Sequence, residues 1–411
     1  MKQMPVREAT TEGRTRAAGG PRRLESLTGL RWFATLGVFL SHVNILLPLP
    51  HTRGAFSLGE SGVSLFFILS GFVLTWNWLP RDTPAAFYGR RFARVWPLLA
   101  VAVALPTLFA ATSSGGPRVT HLLLISFSAV LLVQAWVPGW ILLGASPVTW
   151  SLSCEAFFYG IFPALVRRMY AARARTLVLL VCGAVAALWA VRIGLWLACP
   201  PVRRVTSLDG YGPAVFCLYS PVSRVPQFLI GMAVAVGVRR GWRAVPVRTA
   251  TAALLVPLTV LWLLRGCAFR SAVLFDGTDT ATTPFLALLI AALARRDLDG
   301  GRSFLRSRPL VRLGQWSYAF YLFQFTVLLP VALAANPGRQ VADFFTDPLA
   351  PDSGYLGYAL LGLGITLAVS AAFHRFVEHP LERRLRDRLS PSPARGHRGR
   401  RIRPRSTEGF V

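Results

Sequence analysis

What most constrains this chain is the return, along its whole length, of apolar runs about as long as a bilayer is thick. A soluble core has no need of runs of roughly 18 or more apolar residues, whereas a membrane-spanning helix does. Eleven apolar segments fall near 27–49, 61–79, 95–113, 121–134, 148–166, 175–198, 223–238, 250–264, 282–294, 311–334 and 355–377. Composition agrees: 53% of the 411 residues are hydrophobic and only 15% are charged, against roughly 25% charged in a soluble domain. The pattern predicts an all-α polytopic membrane protein. A transmembrane barrel would instead show alternating segments of about 10 residues.

The net charge of +27 could suggest a nucleic-acid partner. The basic residues, however, cluster at the termini and in short loops between apolar runs, which is the positive-inside pattern that orients helices. No nucleic acid is expected, and the surrounding partners are membrane lipids. Lys2 is the only lysine; the arginine bias fits a GC-rich genome such as an actinobacterium's, so the expected location is the plasma membrane of such a cell. Residues 1–23 are polar and basic, without the apolar core of a signal peptide, and are expected to be disordered. The transmembrane domain is expected over 24–386. The basic tail 387–411, which contains Pro and Gly, reads as disordered and suited to anionic lipid. Cys154, Cys182, Cys199, Cys217 and Cys267 make no metal-ligand spacing, and no metal or bound cofactor is expected. Cys199 and Cys217 flank one predicted outer loop and could pair.

Loop charges bear on how many segments cross. With Arg14, Arg16, Arg22 and Arg23 inside, the loop carrying Arg81, Arg90, Arg91 and Arg94 is inside too. If every later segment crossed, the loop with Arg167, Arg168, Arg173 and Arg175 would fall outside, as would the arginine-dense stretch from Arg295 to Arg312. Removing one crossing between 95 and 166 returns every basic loop to the cytoplasm. Segment 121–134 is shorter than the ~20 residues of a span, and Pro138 and Gly139 follow it. The expectation is ten transmembrane helices, a re-entrant or interfacial helix around 121–143, and both termini cytoplasmic.

Against this apolar background the polar residues stand out. "LTGLRWFATLGVFLSHVNIL", residues 27–46, carries Arg31 and His42, three turns apart on one face and about 16 Å distant. An ionisable residue inside a span marks a functional site, although a neutral histidine can also serve helix packing. In "TWSLSCEAFFYGIFPAL" Ser151, Glu155 and Tyr159 form one stripe. Glu155 and His42 lie at matching depths below the outer ends of their segments, which predicts that they meet. The carboxylate would fix the imidazole tautomer and raise its basicity, as a general base requires; a buried pair locking two helices is the structural alternative. Cys154 lies on another face with no activating cation and reads as packing. In "FYGRRFARVWP", Arg90, Arg91 and Arg94 satisfy the positive-inside pattern, and the same guanidiniums could hold phosphates bidentately.

These blocks, together with "GVSLFFILSGFVL", "SRVPQFLIGM", "VRLGQWSYAFYLFQF" and "RFVEHPLERRL", resemble the acyltransferase family 3 integral-membrane O-acyltransferases over roughly residues 24–386. The resemblance implies a ten-helix core that takes an acyl group, commonly acetyl, from acyl-CoA on the cytoplasmic side. The acceptor is a hydroxyl, typically on a carbohydrate: a cell-surface glycan or a sugar on a secreted small molecule. Acyl-CoA is thus a co-substrate. The resemblance marks Arg31 and His42 as essential and associates Arg90, Arg91 and Arg94 with the donor. Direct transfer is expected, with His42 as base, oriented by Glu155. The oxyanion would be met by the Ser70–Gly71 turn of "LSGF", by Ser151 or by Tyr318, with Trp150, Arg224 and Ser317 of the same blocks in support. Two positions depart from the family pattern: Gln324 stands where a histidine is common, and Gln227 where a glutamate is common. The competing class is a proton-coupled transporter using the His/Glu pair as a relay. Its usual inverted repeats are not found in the sequence.

Overall fold

A computed structural model describes residues 22–112, 117–141, 146–198, 213–263, 277–341 and 343–389. Among the described residues all regular structure is helical. The first half holds α1 (Glu25–Leu46), the short α2 (Arg53–Ser57), α3 (Ser61–Asn77), α4 (Pro84–Thr112), α5 (Pro117–Val130), α6 (Trp150–Ala171) and α7 (Ala174–Ala198). The second holds the short α8 (Pro213–Tyr219), α9 (Pro221–Arg239), α10 (Val247–Leu263), α11 (Thr278–Leu298) and α12 (Arg308–Ala335). A short α13 (Asp343–Thr346), α14 (Tyr355–Phe373), a π-turn (His374–Glu378) and α15 (His379–Leu389) close it.

Among the described residues, six helical stretches are long and apolar enough to cross a membrane: Gly54–Asn77, Pro84–Leu108, Ala174–Leu195, Val215–Arg239, Arg308–Ala335 and Tyr355–Leu385. The chain is therefore a multi-pass helical membrane protein. Helices α1, α6 and α11 have 22, 22 and 21 residues, also of crossing length, and carry many of the polar side chains of the interior. Helix α5 has only 14 residues. It packs on α4, where Thr107 donates a 2.8 Å hydrogen bond to Ser126, and leaves Leu123, Leu124 and Phe127 exposed. A 3-10 turn (Gln134–Trp136) follows, bracketed by positive φ at Leu132 and Gly139.

Close crossings organise the bundle. A Cβ added to Gly71 on α3 would lie 2.0 Å from the Phe228 carbonyl oxygen of α9, and one on Gly231 of α9 would lie 2.0 Å from that of Ile68. Helices α1 and α12 cross through Gly314, against the Thr28 carbonyl. Around the α3–α9 crossing, Phe158 of α6 stacks on Phe228 with centroids 4.8 Å apart, and Phe67 meets Phe158 edge-on at 5.4 Å. Buried aromatic area of this kind is the strongest packing contribution a helix pair can make.

Three expectations change. Helix α1 stops at Leu46 rather than near 49. Helix α6 starts at Trp150, after a 3-10 turn (Pro147–Thr149). The Ser70–Gly71 pair lies inside α3 and makes no turn; its glycine serves the helix crossing. Cys154 is buried, and its thiol donates to the Tyr219 carbonyl at 3.4 Å. Cys199 lies outside the described residues, as do residues 1–21 and 390–411, and with it the Cys199–Cys217 pairing.

Candidate active site

The polar face of α1 borders two cavities, one toward each end of the helix. The first, about 480 Å³, takes in Arg31, Arg91, Arg94, Glu155, Tyr159 and Tyr318, with Arg22 and Arg23 from the start of the described chain. The second, about 250 Å³, takes in His42, Ser64, Trp150, Arg224, Asp279 and Tyr321. They are called here the arginine cavity and the histidine cavity.

In the arginine cavity, the Nε atoms of Arg31 and Arg91 are buried without a hydrogen-bond partner. A buried, unpaired N–H costs roughly 1–3 kcal/mol, more on a charged group, so both are poised for a ligand. Arg31 lies over the Phe66 ring at 5.9 Å, and Arg91 over Phe87 at 5.9 Å. Glu155 accepts a 2.8 Å hydrogen bond from Tyr159, and its charged neighbours are Arg31, Arg91 and Arg94. Arg94 is engaged elsewhere through one nitrogen: Nη1 lies 2.8 Å from Glu382 and 3.3 Å from Glu378. Glu378 is 2% exposed and also meets His374 Nδ1 at 2.9 Å. Arg90 is outside the cavity lining and pairs with Asp82 at 3.4 Å. Ser70 faces this cavity, and the Tyr318 hydroxyl donates to the Val95 carbonyl at 2.7 Å.

In the histidine cavity, His42 Nδ1 is buried and unpartnered. Its ring stands edge-on to Phe325 with centroids 5.4 Å apart, and the Gln324 amide is its polar neighbour. Gln324 Nε2 donates to the Tyr321 carbonyl at 3.3 Å. Gln227 is fully buried; its Nε2 donates to Ser64 at 2.9 Å and Thr283 at 3.2 Å, tying α9 to α3 and α11. Arg224 is ion-paired with Asp279, which also accepts from Arg192 at 2.6 Å. The Arg224 guanidinium faces the rings of Trp150 at 5.7 Å and Tyr219 at 5.4 Å. Ser317, also on α12, lines neither cavity, and its buried hydroxyl has no partner.

The structure does not bring His42 and Glu155 together. Val148 and Trp150 already line the cavity of His42, so Glu155 lies five residues, about 7.5 Å, further along α6 and faces Arg31. The depth argument failed because the loop before α6 enters the bundle before the helix begins, and an apolar boundary read from sequence cannot see that. Tyr321, Asp279 and Arg192 line the histidine cavity, Glu378 and Glu382 hold Arg94 from outside the lining of the arginine cavity, and none of the five was picked out from sequence. Arg192 had a visible signal, as an arginine inside an apolar run. Tyr321 stood in the quoted "SYAFYL" block, one turn before Phe325.

The fold and site define a multi-pass helical membrane protein with a cation-rich cavity toward one end of α1 and a histidine cavity toward the other. Residues 24–375 match the family model described as "Acyltransferase domain", and the chain belongs to that acyltransferase family. It is 32% identical over 417 aligned positions to the acyltransferase MdmB of Streptomyces mycarofaciens, covering 90% of this chain and 96% of that one. It is 30% identical over 329 positions to nodulation protein 10 of Rhizobium leguminosarum bv. viciae, covering 73% and 81%. No solved structure matches the chain.

Proposed function

We propose that the arginine cavity receives an acyl-CoA, acetyl-CoA first among them, and the histidine cavity an acceptor hydroxyl, making the protein a membrane O-acyltransferase. The observation that carries this is α1 itself: one helix presents Arg31, its Nε without a partner, to one cavity and His42, its Nδ1 without a partner, to the other, about 16 Å apart. Arg22, Arg23, Arg31, Arg91 and Arg94 outnumber Glu25 and Glu155 in the first cavity, which suits a polyanion such as the CoA phosphates. An extended pantetheine arm then carries the thioester toward His42. Trp150, Tyr219 and Tyr321 beside Asp279 and Arg224 combine flat apolar faces with hydrogen-bonding groups, which suits a sugar ring on a glycan or a glycosylated natural product.

In this reading His42 takes the acceptor's hydroxyl proton as the oxygen attacks the thioester carbonyl. The tetrahedral intermediate expels the CoA thiolate, which takes the proton back from the imidazolium. Glu155, held by Tyr159, offsets the charge of Arg31 and Arg91 and does not serve His42. The same reading carries ten membrane crossings, with the arginine cavity and both termini on the cytoplasmic side of the plasma membrane.

The test is loss of thioester from radiolabelled acetyl-CoA by purified protein in detergent. His42→Ala is expected to lose about 10²–10⁴-fold in rate, the usual contribution of a general base. Glu155→Gln leaves the cavity more positive and is expected to lower KM for acetyl-CoA while leaving kcat little changed. A folded His42→Ala protein with wild-type turnover would remove the histidine from the chemistry.

A further inference from the structure

We propose that Tyr321 is a catalytic residue: its phenolic O–H donates to the thioester oxygen as that oxygen becomes an oxyanion, and Ser151 frees that proton by donating to the Val148 carbonyl in its place. This rests on the assignment of donor and acceptor to the two cavities.

Position is the first argument. Tyr321 lies on α12 one turn before Phe325, and Phe325 meets the His42 ring at 5.4 Å; residues four apart on a helix are neighbours on one face. On its other side the Tyr321 ring meets Phe66 of α3 at 6.0 Å. Phe66 lines the arginine cavity and lies under the Arg31 guanidinium. Tyr321 itself lines the histidine cavity. It therefore bridges the linings of the two cavities, between the site for the thioester and the site for the hydroxyl.

The second argument is its hydrogen bonding. The Tyr321 oxygen is 2.8 Å from Ser151 Oγ and 3.2 Å from the Val148 carbonyl, and Ser151 Oγ also reaches that carbonyl at 3.2 Å. In this triangle either hydroxyl can donate to the Val148 carbonyl, and the Ser151 hydroxyl suffices when the phenol does not. The phenol proton can turn to a ligand without leaving that buried acceptor unpaired, so the donation carries little reorganisation penalty.

The other oxyanion candidates are spent or misplaced. Tyr318 donates to Val95 in the arginine cavity, Ser70 and Gly71 are inside a helix, and Ser151 lines neither cavity. In the resulting step the acceptor oxygen bonds to the carbonyl carbon while His42 takes its proton. The C–O π pair moves to the carbonyl oxygen and accepts the Tyr321 hydrogen bond. Collapse reforms C=O, breaks C–S, and the thiolate is protonated by His42. Tyr321 keeps its proton throughout.

The experiment compares kcat and KM for acetyl-CoA turnover in wild type, Tyr321→Phe, Ser151→Ala and His42→Ala. Tyr321→Phe keeps the ring pair with Phe66 and is expected to lower kcat by about 10²–10³-fold, the loss typical of one oxyanion donor, with KM little changed. Ser151→Ala should lose about 10-fold, one neutral hydrogen bond's worth. Wild-type kcat in Tyr321→Phe, with His42→Ala inactive, overturns the role of Tyr321 and leaves the functional reading standing. Wild-type kcat in both overturns the functional reading itself. Should Tyr321→Phe fail to fold, a fluorotyrosine placed at 321 keeps the packing and acidifies the phenol; an unchanged kcat there overturns the proposal, and a changed one supports it.

Discussion

Arg94 enters the arginine cavity already tied on one side, with Nη1 between Glu378 and Glu382. Glu378 is buried, so removing the arginine leaves its carboxylate with only His374 beside it, at a cost below the roughly 3–5 kcal/mol of a fully unpaired buried charge. Arg94→Ala is expected to lower the melting temperature in detergent. Adding Glu378→Gln should recover most of that loss without restoring CoA affinity, which separates the arginine's structural part from its part in binding. Restored affinity in the double variant would remove Arg94 from the donor site. The sequence showed the arginine, because three guanidiniums crowd into "RRFAR". It could not show the carboxylates, which come from "RFVEHPLERRL", nearly the whole chain away. His42 and Arg31 were legible for the opposite reason: a charge or imidazole in an apolar run needs no partner in sequence to be noticed. Their neighbours were not legible, since depth along a helix says nothing about which way a face points.

Helix α3 owes its place to two glycines. Gly71 and Gly231 let α3 and α9 touch backbone to backbone, and the same contact aligns Ser64 with Gln227 across the pair. Gly231→Val has no room and is expected to cost about 3 kcal/mol, at the upper end of overpacking, and to weaken turnover by displacing Ser64 at the histidine cavity. Gly183→Ala, where an added Cβ meets nothing within 4 Å, is the matched control and should leave both unchanged. Thermal unfolding followed by tryptophan emission measures the difference. In sequence "LSGF" reads as a Ser-Gly turn as readily as a helix crossing, because glycine serves both and only the neighbouring helix decides. Lengths were easier to read than boundaries: hydropathy finds the apolar part of a helix, and the ends are set by loops such as 146–149 that fold back into the bundle.

Across the described residues, basic loops from distant parts of the chain gather together. Arg239 donates to Tyr170 Oη at 2.8 Å and Arg240 to the Tyr170 carbonyl at 2.7 Å. Arg22 donates to the Leu298 carbonyl at 2.8 Å, and Arg306 lies 3.5 Å from Glu25. Loops far apart in the chain thus share the face on which the arginine cavity lies. In the proposed reading this arginine-rich face is the cytoplasmic one, the side on which acyl-CoA is supplied. Donor and acceptor sites at opposite ends of α1 would then give turnover a direction. Sealed everted vesicles should consume acetyl-CoA added to the medium, whereas sealed right-side-out vesicles should not until a detergent opens them. The histidine cavity lies toward the other end of α1, so an impermeant sugar acceptor should stimulate turnover only when supplied on the side opposite the donor. Equal consumption by both sealed preparations would mean that the arginine cavity is reached from either face, and the division of labour between the two ends of α1 would fall with it.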